Sequence, residues 1–99
     1  MRIRIRCDQI SDRNKIEEQV ERSLYLSIGS YLAEVRQATV HLERCEDETT
    51  PLHRCRISLK VASGETIQTQ FEATQMDECI SQAAFAASRN LRLNCSLPK

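Results

Sequence analysis

The sequence is poor in the residues that break or decorate a chain: it has two Gly, two Pro and no Trp, and its aromatics make up 4% of 99 residues. So little Gly and Pro excludes a collagenous repeat or a low-complexity linker. No apolar run approaches the roughly 20 residues that cross a bilayer, and the Arg-alternating start RIRIRC lacks the apolar stretch of a secretory signal. Net charge is also missing, since 14 Lys and Arg meet 14 Asp and Glu. That balance argues against a uniformly polybasic nucleic-acid binder, but does not say where the charges sit. One domain over residues 1–99, in the cytoplasm and away from membranes, is the expectation.

Catalytic and metal-binding kits are absent too. The five cysteines, at 7, 45, 55, 79 and 95, form no CxxC pair, and His41 and His53 have no partner at a zinc-ligand spacing. An odd cysteine count with no export signal fits a reducing compartment, where a buried thiol acts as a small apolar group. Cys55 lies between Arg54 and Arg56, but in a strand those neighbours point to the opposite face, so it reads as core. There is no glycine-rich phosphate loop, GxSxG or HExxH. No enzyme, cofactor or metal is expected.

What the sequence does have is alternation. Ile3, Ile5 and Cys7 share one face of a first strand and Arg2, Arg4 and Arg6 the other. Ser11 or Asp12 is placed to cap a helix whose apolar positions Ile16, Val20, Leu24, Ile28 and Tyr31 advance by three or four, with Glu17, Glu18 and Glu21 near its positive end. Alternation returns over 35–43, with Ala38, Val40 and Leu42 inward, and is followed by an acidic loop from Glu46 to Pro51. It resumes over 54–61, with Cys55, Ile57, Leu59 and Val61 inward, turns at Ser63, Gly64 and Glu65, and continues through Ile67, Thr69 and Phe71. A final helix over about 76–93, capped by Thr74, carries Met76, Ile80, Ala83, Ala84, Ala87 and Leu91 on one stripe.

The order β-α-β-β-β-α, with one polar face on every strand, predicts an α+β two-layer sandwich. In it a four-stranded mixed sheet carries both helices on one face and leaves the other in water. Outward strand positions hold Arg2, Arg4, Arg6, Arg54, Arg56 and Lys60 against Glu43 and Glu72. Such a face suits phosphate contacts. It equally suits the plainer task of keeping edge strands soluble. On the last helix Arg89 and Arg92 each fall within about 40° of Phe85, away from the apolar stripe. The trio can stack on a base and contact phosphate, unless Phe85 tucks against the neighbouring helix and leaves the two arginines merely solvated.

The segment RCRISLKV, the short turn and strand after it, and DECISQAAFAASRNLRL resemble the ribosome hibernation-promoting factor family, also called ribosome-associated inhibitor A or sigma-factor modulation protein. The resemblance covers essentially the whole chain. It implies a non-enzymatic domain that binds rRNA in the decoding channel of the small ribosomal subunit and inhibits translation under stress by excluding messenger and transfer RNA. Cys79 and Ile80 match the apolar pair near the start of the family's last helix, and Arg89 and Arg92 its basic exposed side. Arg22 and Lys15 are the first-helix cations the resemblance leaves, with Phe85 as the stacking group, while Ser23, Leu26 and Ala86 stand where Lys or Arg is expected. Without a second carboxy-terminal domain the chain reads as a short form. The alternative is a protein-interaction module that associates through a sheet edge or the Phe85 patch.

Overall fold

In a computed structural model of the chain, residues 2–8, 13–46 and 51–95 are described. The helix caps expected at Ser11 and Asp12 lie outside these residues, as does most of the acidic loop. Strand β1 (Arg2–Asp8) leads to helix α1 (Arg13–Ile28) and a short 3-10 turn (Gly29–Tyr31). Strands β2 (Val35–Glu46), β3 (Pro51–Val61) and β4 (Thr66–Ala73) follow, and helix α2 (Met76–Cys95) ends the fold. The sheet order is β1-β2-β3-β4, with β1 parallel to β2 and the other pairs antiparallel. This is the expected mixed sheet with the expected order of elements.

One face of the sheet makes the core. Ala38, Val40 and Leu42 from β2 and Cys55, Ile57, Leu59 and Val61 from β3 are buried beneath Val20, Leu24 and Ile28 of α1 and Ile80, Ala83, Ala84, Ala87 and Leu91 of α2. The three alanines have almost no side chain to separate helix from sheet, so α2 lies close on β3 and β4. Two polar links fix it there: the Cys79 thiol donates to the carbonyls of His53 and Phe71 (both 3.3 Å), and Asn90 Nδ2 donates to Thr69 Oγ1 (2.9 Å).

Three local details differ from the sequence expectation. The β2–β3 hairpin is longer, with β2 reaching Glu46 and β3 beginning at Pro51, so the strands extend to the two ends of the expected acidic loop. Pro51 takes the first position of its strand, where a missing donor is tolerated. At α2, Gln75 rather than Thr74 holds the cap position, since its carbonyl accepts from Cys79 N (3.0 Å). The first turn of α1 has no acid; Glu17 and Glu18 come a turn later, past the reach of the helix dipole, and Glu17 instead pairs with Arg13 (3.0 Å).

The β3–β4 turn closes through Gly64 N to Val61 O (2.9 Å) and Val61 N to Glu65 O (3.0 Å), with Gly64 at φ 98°. A side chain at positive φ crowds its own backbone. We expect Gly64→Ala to cost about 1–2 kcal/mol and Gly29→Ala, where an added Cβ meets nothing within 4 Å and φ is not left-handed, to be neutral or slightly stabilising. Thermal melts of the two variants check this; equal melting temperatures would refute it.

Burial pushes the Cys55 thiol up to about 12, with Cys79 and Cys7 adding to the shift. Its ordinary value is 9.0. Between pH 9 and 12 the unfolded chain loses this proton while the folded chain keeps it, so stability falls as pH rises, by about 1.4 kcal/mol per unit. From pH 9 to 10.5 the wild type should lose about 2 kcal/mol more than Cys55→Ala. Urea midpoints at the two pH values measure this, and parallel losses in both proteins would contradict it.

Candidate nucleic-acid interface

Register arranges the open face of the sheet into rows. Arg2, Gln37, Lys60 and Thr66 lie side by side across the four strands, then Arg4, Thr39, Ser58 and Gln68, then Arg6, His41, Arg56 and Gln70, and last Asp8, Glu43, Arg54 and Glu72. Cations dominate one end and acids the other.

The acidic row neutralises its neighbours. Glu43 Oε1 accepts from Arg56 Nη2 (2.9 Å) and lies 3.9 Å from Arg54 Nη1, while Arg54 Nε donates to Glu72 Oε2 (2.7 Å). Arg6 lies 3.6 Å from Asp8, whose other oxygen accepts from His41 Nε2 (2.7 Å). The Asp8 carboxyl is held below its ordinary value by the His41 hydrogen bond, with Arg6 beside it, and the Glu72 hydrogen bond raises the Arg54 guanidinium above its own. Arg6, Arg54 and Arg56 are thus occupied within the sheet. Arg2, Arg4 and Lys60 make no ion pair among the described residues.

The helices present a second surface. β1, β2 and β4 share one direction, so α1 and α2, which return from β1 and β4, run alongside each other the same way. Gln19 Nε2 of α1 donates to Asp77 Oδ1 of α2 (3.0 Å), and this bond marks where the two helices meet. By helix geometry Lys15, Arg22 and Leu26 lie within about 40°, 60° and 20° of Gln19, on the flank turned toward α2. Glu17 and Glu21 lie about 160° away, on the other flank. Two of the three acids of α1, Glu17 and Glu21, are therefore set apart from Lys15 and Arg22, whereas Glu18, about 40° from Arg22, shares their side.

At 1.5 Å per residue, Leu26 falls roughly 10 Å and Phe85 roughly 12 Å beyond the Gln19–Asp77 link, with Arg89 and Arg92 farther along. Lys15, Arg22, Leu26, Phe85, Arg89 and Arg92 are therefore spread over a strip about 28 Å long on the outer side of the helix pair, which also carries the exposed acids Glu18 and Glu78. Phe85 is 58% exposed and Leu26 80%, so Phe85 does not tuck against α1. The cations of the strip are exposed and form no ion pair among the described residues. The strip offers guanidinium forks for phosphate and an aromatic face for a base or ribose. Among the described residues no group of three His, Cys, Asp or Glu side chains could hold a metal, and no helix is long and apolar enough to cross a membrane.

Residues 3–94 match the family model described as sigma 54 modulation protein / S30EA ribosomal protein. The chain belongs to this family. A search of characterised sequences finds no match. Among solved structures the S30EA chain is similar to a ribosomal subunit interface protein from Coxiella burnetii, with 15% identity over 98% of this chain and 100% of that one and a TM-score of 0.82. It is also similar to the N-terminal domain of Thermus thermophilus Protein Y, with 17% identity over 95% and 99% of the two chains and a TM-score of 0.79. At these identities the likeness is one of fold.

Within this S30EA fold, two residues that sequence reasoning left out of the site join it. Leu26, noted only as a departure from a basic pattern, stands at the centre of the strip. Arg36 sits where the β2–β3 register shifts between Val35 and Gln37, is exposed, and lines a shallow depression with Arg2, Gln37 and Lys60. The shift breaks the two-residue alternation, since Val35 and Ala38 are both buried though three residues apart, and that break in the apolar pattern is the signal that leaves Arg36 exposed.

Proposed function

We propose that this S30EA-family chain binds rRNA of the small ribosomal subunit in the cytoplasm and inhibits translation by steric occupancy, as a hibernation or stress factor. The observation that carries the reading is the helix strip: four exposed cations, Lys15, Arg22, Arg89 and Arg92, in line with an exposed Phe85. The cations contact phosphate and set the orientation, and Phe85 stacks on an unpaired base or ribose. Nothing is transformed; the bound domain fills space that messenger and transfer RNA need. Family membership and the likeness to a ribosomal subunit interface protein support the same partner.

Sucrose-gradient sedimentation with isolated small subunits tests it. The chain should travel with the subunit at 50 mM salt. With four phosphates neutralised, affinity should fall about 100-fold by 200 mM. A chain that stays at the top of the gradient at low salt would overturn the proposal. If it does so as a stable dimer, the protein-interaction reading takes its place.

A further inference from the structure

We propose that the cation-rich end of the open sheet face is a second phosphate-binding surface, which holds the backbone of a single-stranded RNA segment other than any held by the helices. It lies on the opposite side of the sheet from the helix strip and goes beyond the function proposed for that strip.

Three observations lead there. First, the cations of this face divide into two groups: those near the acidic row are paired within the sheet, whereas Arg2, Arg4 and Lys60 are unpaired among the described residues. Charge whose only task was solubility would not need such segregation; charge left available for a ligand does. Second, the free cations converge. Arg2 and Lys60 flank Gln37 in one row, and Arg36 opens onto the same depression. Third, the spacing is that of a track. Arg2 and Arg4 point to the same face two residues apart, roughly 6.6 Å, and adjacent strands add steps of about 4.8 Å.

The chemistry selects the partner. Guanidinium forks and an ammonium among neutral amide and hydroxyl groups suit phosphate oxygens. The exposed side chains of these two rows include no aromatic on which bases could stack, so contact is with the backbone and independent of sequence. The surface is also flat and open, which suits a flexible single strand that can follow it.

The test uses a fluorescein-labelled 12-nucleotide oligouridine and anisotropy across a salt series. Arg2→Glu with Lys60→Glu should weaken binding at least tenfold. It should also flatten the log–log salt slope by about 1.4, the value for two phosphate contacts on a single strand. The slope should fall further when Arg89→Glu and Arg92→Glu are added, because the two surfaces act separately. Replacement of uridine by 4-thiouridine should give photocrosslinks on β1 and β3 peptides. An unchanged slope in a sheet variant that keeps the wild-type circular dichroism spectrum would overturn the proposal, as would binding to phosphatidylserine vesicles without binding to the oligonucleotide. Loss of binding in the helix variant alone would leave the function proposed for the helices standing and remove this one.

Discussion

Arg89→Glu with Arg92→Glu should abolish small-subunit binding at physiological salt while leaving the domain folded. Both side chains are exposed on the outer side of α2, and neither is held by an acid among the described residues. Their replacement therefore removes no internal contact, and the melting temperature should stay within a few degrees of wild type. Binding, by contrast, loses two charge-assisted contacts of roughly 1.5–3 kcal/mol each, so affinity should fall at least 100-fold. The salt slope should flatten by about two contacts' worth. Co-sedimentation of the double variant measures both effects, and undiminished co-sedimentation would sink the helix strip as the site. Phe85→Ala separates stacking from charge, because it should weaken binding without altering the salt slope.

The second large effect is on stability. Leu24 of α1 is fully buried in the core. Its truncation to Ala should cost about 3 kcal/mol, because the transfer free energy of the lost methyl groups is joined by that of the cavity they leave. A domain of this size has roughly 5–15 kcal/mol of net stability, and each kcal/mol moves the melting temperature by about 4–8 °C. Thermal and urea denaturation followed by circular dichroism should show a fall of roughly 12–24 °C. Leu26→Ala, two residues along but 80% exposed, should leave the melt unchanged. Equal effects of the two variants would mean that α1 turns a different face to the core.

Much of the fold was legible because each strand has a single buried face. Ile3, Ile5 and Cys7 on β1 and Cys55, Ile57, Leu59 and Val61 on β3 form two unbroken alternations, and the matching polar faces could only be satisfied with both helices on one side. The far end of the β2–β3 hairpin was hidden because Arg44 and His53, which pair across it, are polar residues at inward positions and end the apolar pattern. Alternation also says which face a side chain takes but not which neighbour it meets. The cations Arg6, Arg54 and Arg56 therefore counted the same as Arg2, Arg4 and Lys60 until register placed the first group beside Asp8, Glu43 and Glu72. On α1 the acids and cations looked intermixed; the Gln19–Asp77 link shows which flank lies toward α2, and Glu17 and Glu21 face away from it while Glu18 stays beside Arg22.

The alanines under α2 have a consequence for how the outer surface can change. Ala83, Ala84 and Ala87 are buried, so the height of the helix above the sheet is set by the smallest side chains that still fill the gap. Phe85 and Arg89 alternate with these alanines along the same turns. A larger residue at Ala84 or Ala87 would lift or roll the helix and carry the aromatic and guanidinium groups away from their positions, although none of them had been touched. The outward display of this chain is thus encoded partly on its hidden side: drift confined to the interior could reshape the outer surface while every exposed residue stayed the same.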